Sequence, residues 1–556
     1  MTTRRQFLRA SAVAAGYIGW PTRSALGSTI HLPSTRAARR LTASAVLPDA
    51  PDPTILQQLA RTAVDAARAA GAEFADVRIG VQRALRVPTL PSGVSVEQVV
   101  SYGVRARVSG TWGFQYGTIP TSDAIAIAAR SATAGARRYA AANAALRVPR
   151  GADLAPAQPV QGEWRTPVEI DPFNVPIDDV YRIIGSLYES TAVIHRNRPI
   201  SSNGISWYAE TRVFASSDGS LVTQHFMRGG HGVDGGARMP DNTTDFIMIL
   251  LPDLIEQSGG LELMTRPDLV DYVLSGMEEV TRLREIPVRA FPDVGRFPVV
   301  FDGMTFASLV GNTLGLALDA ERAAGLEADA SGTTFLVPPL DIVQAAEPTF
   351  SPLLTVTSAR RMPSSLAAQW DDEGVACRSA TLVQDGRVVD YHTTRETAPL
   401  LAEWYAKQGR PVQSHGITVA SRPSSIPVSG SGHLHVAPAS STANLMELAK
   451  DISHGFIVRG GTAEAESGLT LATIRGMNIE VRNGKPVARV PIMLQCGTKA
   501  TFKKNLVALG DASTLLPTVA RPSKGMPWEE VTSYITAPAA FCRDIDIVSW
   551  GLQQDE

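Results

Sequence analysis

Metal or nucleophilic chemistry in this chain would have to be assembled from nine histidines, three cysteines and a few acidic clusters. His433 and His435, separated by Leu434, put two imidazoles on one face of an expected strand, since alternate residues share a face. Imidazole nitrogen suits zinc, but a third ligand would have to come from elsewhere, and a packed or surface strand is the preferred reading. Asp371, Asp372 and Glu373 could hold a hard cation. A turn whose carboxylates cap backbone amides explains them better. His225 and His231 flank Gly229-Gly230, read as a flexible, solvated loop with functional contact as the rival reading. Cys377, Cys496 and Cys542 lie among apolar or small residues and read as buried, inert thiols. One disulfide is conceivable, and an odd count leaves one thiol over. Neither a Walker-type phosphate loop nor a Gly-x-Ser-x-Gly elbow occurs in the sequence.

Composition narrows the field further. The 556 residues carry 52 basic and 54 acidic groups, a net charge of −2, which offers no long-range attraction to nucleic acid or anionic lipid. Apolar residues at 44% and charged residues at 19% are a globular balance. The length suits two to four domains at roughly 100–200 residues each. Three cysteines cannot form a disulfide framework. No integral membrane segment is expected, because no apolar run is long enough beyond the leader. That leader, residues 1–27, pairs Arg4-Arg5 with Phe7-Leu8 and a small-residue apolar stretch from Ala10 to Trp20. It resembles a twin-arginine export signal, with a cleavage region near Ala25-Leu26-Gly27, and implies a periplasmic or extracytoplasmic destination.

The elements that must position these side chains follow from periodicity. Residues 28–53 lack a pattern and read as a linker. A helix over 54–70 places Ile55, Leu59, Ala63, Ala66 and Ala67 at helical spacing and ends at Gly71. Residues 75–81 alternate as a strand, with Val77, Ile79 and Val81 on one face and Asp76, Arg78 and Gly80 on the other. Strands near 99–108 and 111–116 meet at Ser109-Gly110, and an Ala-rich helix covers 122–141. A long Pro-rich connection fills 145–176. Helices are expected over 178–190 and 267–284, and a hairpin over 205–226. The N-terminal α+β domain therefore spans 54–290. A β-rich C-terminal domain spans 291–556, with a strand at 299–302, a helix over 304–322 and hairpins at Asp385-Gly386 and Asn483-Gly484.

Taken together, these segments resemble the TldD/PmbA family of modulator-of-gyrase proteins, described as metallopeptidases. The resemblance runs through Ala70–Arg78, Gly103–Arg105, Thr111–Phe114, Trp164–Pro167, Asp171–Phe173 and Phe214–Ser220. It continues through Asp371–Val375, Asp385-Gly386, Asn483-Gly484, Phe502–Gly510 and Lys524–Pro527, in family order from about residue 55 to the end. It implies a two-domain fold, an N-terminal α/β sheet domain followed by a mainly-β C-terminal domain. It also implies a two-fold assembly in which one subunit type carries a metal and its paralogue none, acting on unstructured peptides.

Active subunits of that family carry His-Glu-x-x-x-His on a helix and a later cysteine in a Cys-Gly-Lys-Gly-x-Pro type loop. Two imidazoles and a thiolate would bind the metal, and the glutamate would take a proton from bound water. In the register set by Ala317–Arg322, those helix positions are Gly311, Asn312 and Leu316, and the cysteine position is Pro522. Gly311 and Leu316 offer no donor atom, and Asn312 is not a base. No histidine lies between His231 and His392, so no shift along the helix restores a pair. The resulting expectation is an exported, metal-free, non-catalytic subunit with no cofactor, partnered by a TldD/PmbA-type paralogue or by a second copy. The rivals are an active zinc peptidase on other ligands, His433 and His435 first, and a stand-alone peptide-binding protein.

Overall fold

The first long helix, Pro53–Ala69, begins at its start signals. The Asp52 carboxylate accepts from the Thr54 amide at 2.7 Å, and Pro53 takes the first helical position, where its missing N–H costs nothing. The buried stripe is Leu56, Ala60, Ala63, Val64 and Ala67. Ile55 faces solvent, and Leu59 and Ala66 are half-buried. An Ala-rich helix has several registers of similar apolar content, and the flat sheet beneath selects the one with small side chains inward.

The computed structural model describes residues 28–32, 41–88, 93–148, 150–194, 204–230, 236–240, 246–250, 255–289, 294–327, 332–361, 367–430, 432–465, 469–525 and 529–548. The leader, the cleavage region, His195 and His231 lie outside the described residues.

The N-terminal sheet runs Ser28–Leu32, Val94–Val108, Phe74–Val87, Ile205–Ser216, Leu221–Gly230, Gln257–Ser258. Thr111–Gly117 pairs with Val94–Val108 across the turn Ser109-Gly110, where both residues take positive φ (49° and 74°). The helices Pro53–Ala69 and Ser122–Ala145 cover one face through Val77, Ile79, Val81 and Val104. The opposite face is not solvated, as simple alternation suggests: Asp76 and Arg78 are fully buried beneath the C-terminal half.

Three sequence expectations need correction here. The stretch 28–53 is not a bare linker, because Ser28–Leu32 pairs antiparallel with Val94–Gln98, and Ala43–Val46 is a short helix capped by Thr42. An edge strand needs only backbone pairing, so it leaves no hydrophobic pattern to read. The connection 145–176 contains the strand Gln161–Arg165, parallel to Leu221–Gly230. Gly229-Gly230 is strand rather than flexible loop, and Gly229 is glycine because the Trp207 indole lies against it.

In the C-terminal half, Gly295–Phe301 pairs parallel with His454–Ala465 and antiparallel with Ala540–Val548. Leu471–Arg482 and Met493–Gly497 complete a closed ring of strands, which removes exposed edges. A second sheet runs Arg387–Val388, Ser379–Gln384, Val356–Ala359, His433–Val436, Ser533–Ala537, Leu516–Ala520. Both predicted hairpin turns form, with positive φ at Asp385-Gly386 and at Asn483-Gly484.

The helix Gly303–Leu309 is buried along its whole length between the ring and the second sheet. Asp302 caps it: one carboxylate oxygen accepts from the Thr305 amide at 2.8 Å, the other from the Gly460 amide at 2.8 Å. Thr305 and Ser308 hydroxyls accept the Gly461 and Ala463 amides, both at 2.9 Å. The Gly460 and Gly461 amides lie in a register shift of His454–Ala465, so the helix satisfies groups that strand pairing leaves over. The expected single helix over 304–322 is broken. After Leu309 a widened turn spans Val310–Leu314, Gly315–Ala317 is one more turn, and a separate short helix is Ala320–Ala323.

Candidate functional site

The widened turn carries the family positions. The Gly315 amide donates to the Val310 carbonyl, an i→i+5 bond, so residues five apart come nearly over one another. In a regular helix they would diverge. Two side chains supply donors to carbonyls of the shifted ladder. Asn312 Nδ2 donates to the Ser308 carbonyl at 3.2 Å, and Thr313 Oγ1 donates to the Leu309 carbonyl at 2.5 Å.

Gly311 lies in this turn and Leu316, five positions on, in the turn that follows. A Cβ at Gly311 would lie 2.6 Å from Ile535 Cδ1 and 3.4 Å from Ala520 Cβ, so Ile535 fills the space a longer side chain would need. Leu316 is 2% exposed and belongs to the hydrophobic core. Pro522 uses its carbonyl to accept the Val531 amide at 2.9 Å. These four residues do not fit a metal: they present no imidazole, thiolate or carboxylate, and the first position has no room for one.

Three residues beyond Leu316 the chemistry changes. Asp319, Glu321 and Glu327 bring carboxylate oxygens within 4.8 Å of one another, and among the described residues they are the one such group of three potential metal-ligating side chains. A cation from the chain itself is already there. Lys524, fully buried, pairs with Asp319 and with Glu327 (3.2 Å) and donates to the Ser429 carbonyl at 2.6 Å. Arg322, also fully buried, pairs with Glu327 at 3.0 Å. Burial works against the Lys524 ammonium, but Asp319, Glu327 and Glu321 outweigh it and raise its pKa. Glu321 lacks such a partner. Burial, then the Asp319 charge, pushes it up to about 7, and its contact is the Ser429 amide at 3.2 Å. Lys524 and Asp319 stand 205 positions apart, so sequence reasoning had both residues and no sign that they meet.

Behind this cluster lies His392, fully buried, whose backbone bonds to Leu318 and Ala320. Burial holds it neutral, at about 3, and neither ring nitrogen has a hydrogen-bond partner among the described residues.

His433 and His435 do share a strand face. His433 is buried, packs edge-on against Tyr534 at 4.7 Å, and is lowered to about 4 by burial and by His435. His435 Nδ1 is engaged with Thr536 Oγ1 at 2.8 Å. They join no third metal-ligating side chain among the described residues.

Asp371, Asp372 and Glu373 form a buried turn that caps amides. Asp371 accepts the Glu373 and Val375 amides at 2.9 and 2.8 Å and the Thr418 amide at 3.1 Å. Asp372 accepts the Ala420 amide at 2.7 Å and pairs with Arg212 at 2.7 Å. Glu373 pairs with Arg105, which also grips Asp76. The turn therefore clamps the C-terminal half onto the N-terminal sheet, a role for Arg78, Arg105 and Arg212 that the sequence pattern gave no hint of. His225 is a strand residue held between Thr211 (3.0 Å) and Glu163 (3.2 Å). Cys377, Cys496 and Cys542 are buried free thiols, and burial raises the first two to about 12 and about 11.

The family described as PmbA/TldA metallopeptidase C-terminal domain matches residues 294–548. No curated protein matches the chain by sequence. Among solved structures, TldE from Thermococcus kodakarensis superposes with a TM-score of 0.59 at 13% identity, covering 89% of this chain and 100% of that one. A protein from Thermotoga maritima described as a modulator of a DNA gyrase gives 0.60 at 13%, covering 89% and 100%. A counterpart from Bacteroides thetaiotaomicron gives 0.57 at 14%, covering 89% and 98%. At these identities the structures establish a shared fold, and residues 294–548 belong to the family described as PmbA/TldA metallopeptidase C-terminal domain.

Proposed function

We propose that this chain is a metal-free, non-catalytic subunit of a peptide-processing TldD/PmbA-type assembly. It leaves the cytoplasm folded, by the twin-arginine route, and works in the periplasm or another extracytoplasmic space. Its partner is a metal-bearing paralogue or a second copy, and its role is to shape the path of an unstructured peptide through backbone pairing and fit. The observation that carries this reading is Gly311 packed against Ile535, with Leu316 in the core and Pro522 in the loop. Loss of one ligand leaves a weakened metal site, whereas loss of the whole set together with the base leaves no Lewis acid and no activated water.

Elemental analysis of the mature chain, after zinc loading and exhaustive dialysis, tests it. Near zero zinc per chain is expected. Near one zinc per chain overturns the reading, and His433 and His435 become the first residues to change. A pull-down from the native source distinguishes a paralogue carrying His-Glu-x-x-x-His from self-association.

A further inference from the structure

An open pocket of about 410 Å³ lies in the C-terminal half, away from Gly311 and Lys524 along the chain. Arg378, Arg410, Gln413 and His415 are among the residues that line it, and no Asp or Glu is among them. Trp404, Val389 and Ala380 supply its apolar lining.

The charges behind the wall are accounted for. Asp390 is buried and pairs with Arg410, accepts the Tyr405 hydroxyl at 2.9 Å, and lies 3.5 Å from His415 Nε2. Burial opposes its charge, and His415 with Arg410 outweighs burial and holds the carboxyl below its usual range. His415 Nδ1 is engaged with Thr393 Oγ1 at 2.9 Å. Arg410 is thus fixed from behind, stacked 4.8 Å over the Tyr405 ring, with 41% of its side chain open to solvent. Arg378 is exposed and donates to the neutral Gln413 amide oxygen, and it pairs with no carboxylate among the described residues. The Trp404 indole N–H has no acceptor among the described residues.

We propose that this pocket binds a carboxylate carried on an apolar body. Two planar guanidinium forks match a carboxylate's two oxygens, and the indole wall takes up the apolar part. A bare phosphate would leave that wall unused. The same chemistry is offered by a free carboxylic acid and by the C-terminus of a peptide with an apolar last residue. The assignment goes beyond the metal-free reading and does not depend on it.

Calorimetric titration of the full mature chain with N-acetylphenylalanine, its amide, Ala-Ala-Phe and Ala-Ala-Phe amide tests the proposal. Saturable binding of an acid is expected, at least about tenfold tighter than its amide, the contribution of one charge-assisted pair. Binding of N-acetylphenylalanine alone identifies a small acid, and binding of both acids identifies peptide C-termini. Arg378→Gln should weaken the acid about tenfold. Gln413→Glu, which neutralises Arg378 in place, should do the same if loss of the arginine disturbs folding. Equal binding of acid and amide, no saturation by either acid, inorganic phosphate competing as well as the acids, or unchanged affinity in both variants would each overturn it.

Discussion

The Asp371–Glu373 turn and the Lys524 cluster both bury acids against bases, yet they are built differently. The turn spreads its charges across the two halves and fills its carboxylate oxygens with backbone amides as well as arginines. The Lys524 cluster lies within the C-terminal half, adjoins the family motif, and sets three carboxylates against one ammonium and one guanidinium. The first arrangement fixes architecture. Each region holds one carboxyl pushed up to about 7, and they differ in its partners: Asp371 accepts three backbone amides, Glu321 the Ser429 amide alone among the described residues.

The largest expected effect breaks the first region. Asp372→Ala leaves Arg212 with Glu210 as its remaining carboxylate and the Ala420 amide without its acceptor, and should cost about 3–5 kcal/mol in chemical denaturation, as breaking a buried pair does. Lys524→Met should cost less, about 2–3 kcal/mol, because Asp319 can take up a proton once the ammonium that lowers its pKa is gone, and Glu327 keeps Arg322. Its cost should grow between pH 5 and pH 8, since carboxyls with raised pKa lose stability as pH rises. A Lys524→Met loss equal at both pH values would show that the acids do not relax, and the contrast between the regions would fail.

Gly311→His should lower stability by about 1–3 kcal/mol through overpacking against Ile535, and Ile535→Ala in the same chain should return part of that loss. Additive losses in the double-mutant cycle would mean that Ile535 does not block the position. The smallest effect concerns slope rather than size. Glu321 keeps its proton in the folded chain up to about 7 and loses it near 4.5 when unfolded. Folding therefore takes up a proton between those values, and stability falls as pH rises through them. Asp371, raised to about 7 by burial and by Glu373, adds a slope of the same sign. Glu321→Gln should flatten the urea-midpoint profile between pH 5 and 7, leaving the Asp371 share. An unchanged profile would mean that Glu321 ionises normally.

Much of the fold was legible because strands and turns announce themselves locally. Ser109-Gly110, Asp385-Gly386 and Asn483-Gly484 need positive φ, and their residue types say so. The burial of Asp76 and Arg78 was not legible, because alternation marks the faces of a strand and not what covers them. Ser28–Leu32 was missed for a related reason, being recruited by an edge rather than by its own pattern. At the site, the sequence named the positions that lack ligands. It could not place Ile535 over Gly311 or Lys524 among the acids, since both are meetings of segments some two hundred residues apart.

The widened turn at Val310–Leu314 has a consequence for chain length. Such a turn holds one residue more than a regular one, so the helix tolerates a single-residue surplus whose flanks stay in phase. In this chain neither Gly311 nor Leu316 needs the five-residue spacing that the surplus provides. Deleting Asn312 should therefore close the helix into an unbroken run from Gly303 to Ala317 and leave the Asp302 cap on the strand amides undisturbed. In a relative that binds metal through both positions, the same deletion would swing one ligand off the common face.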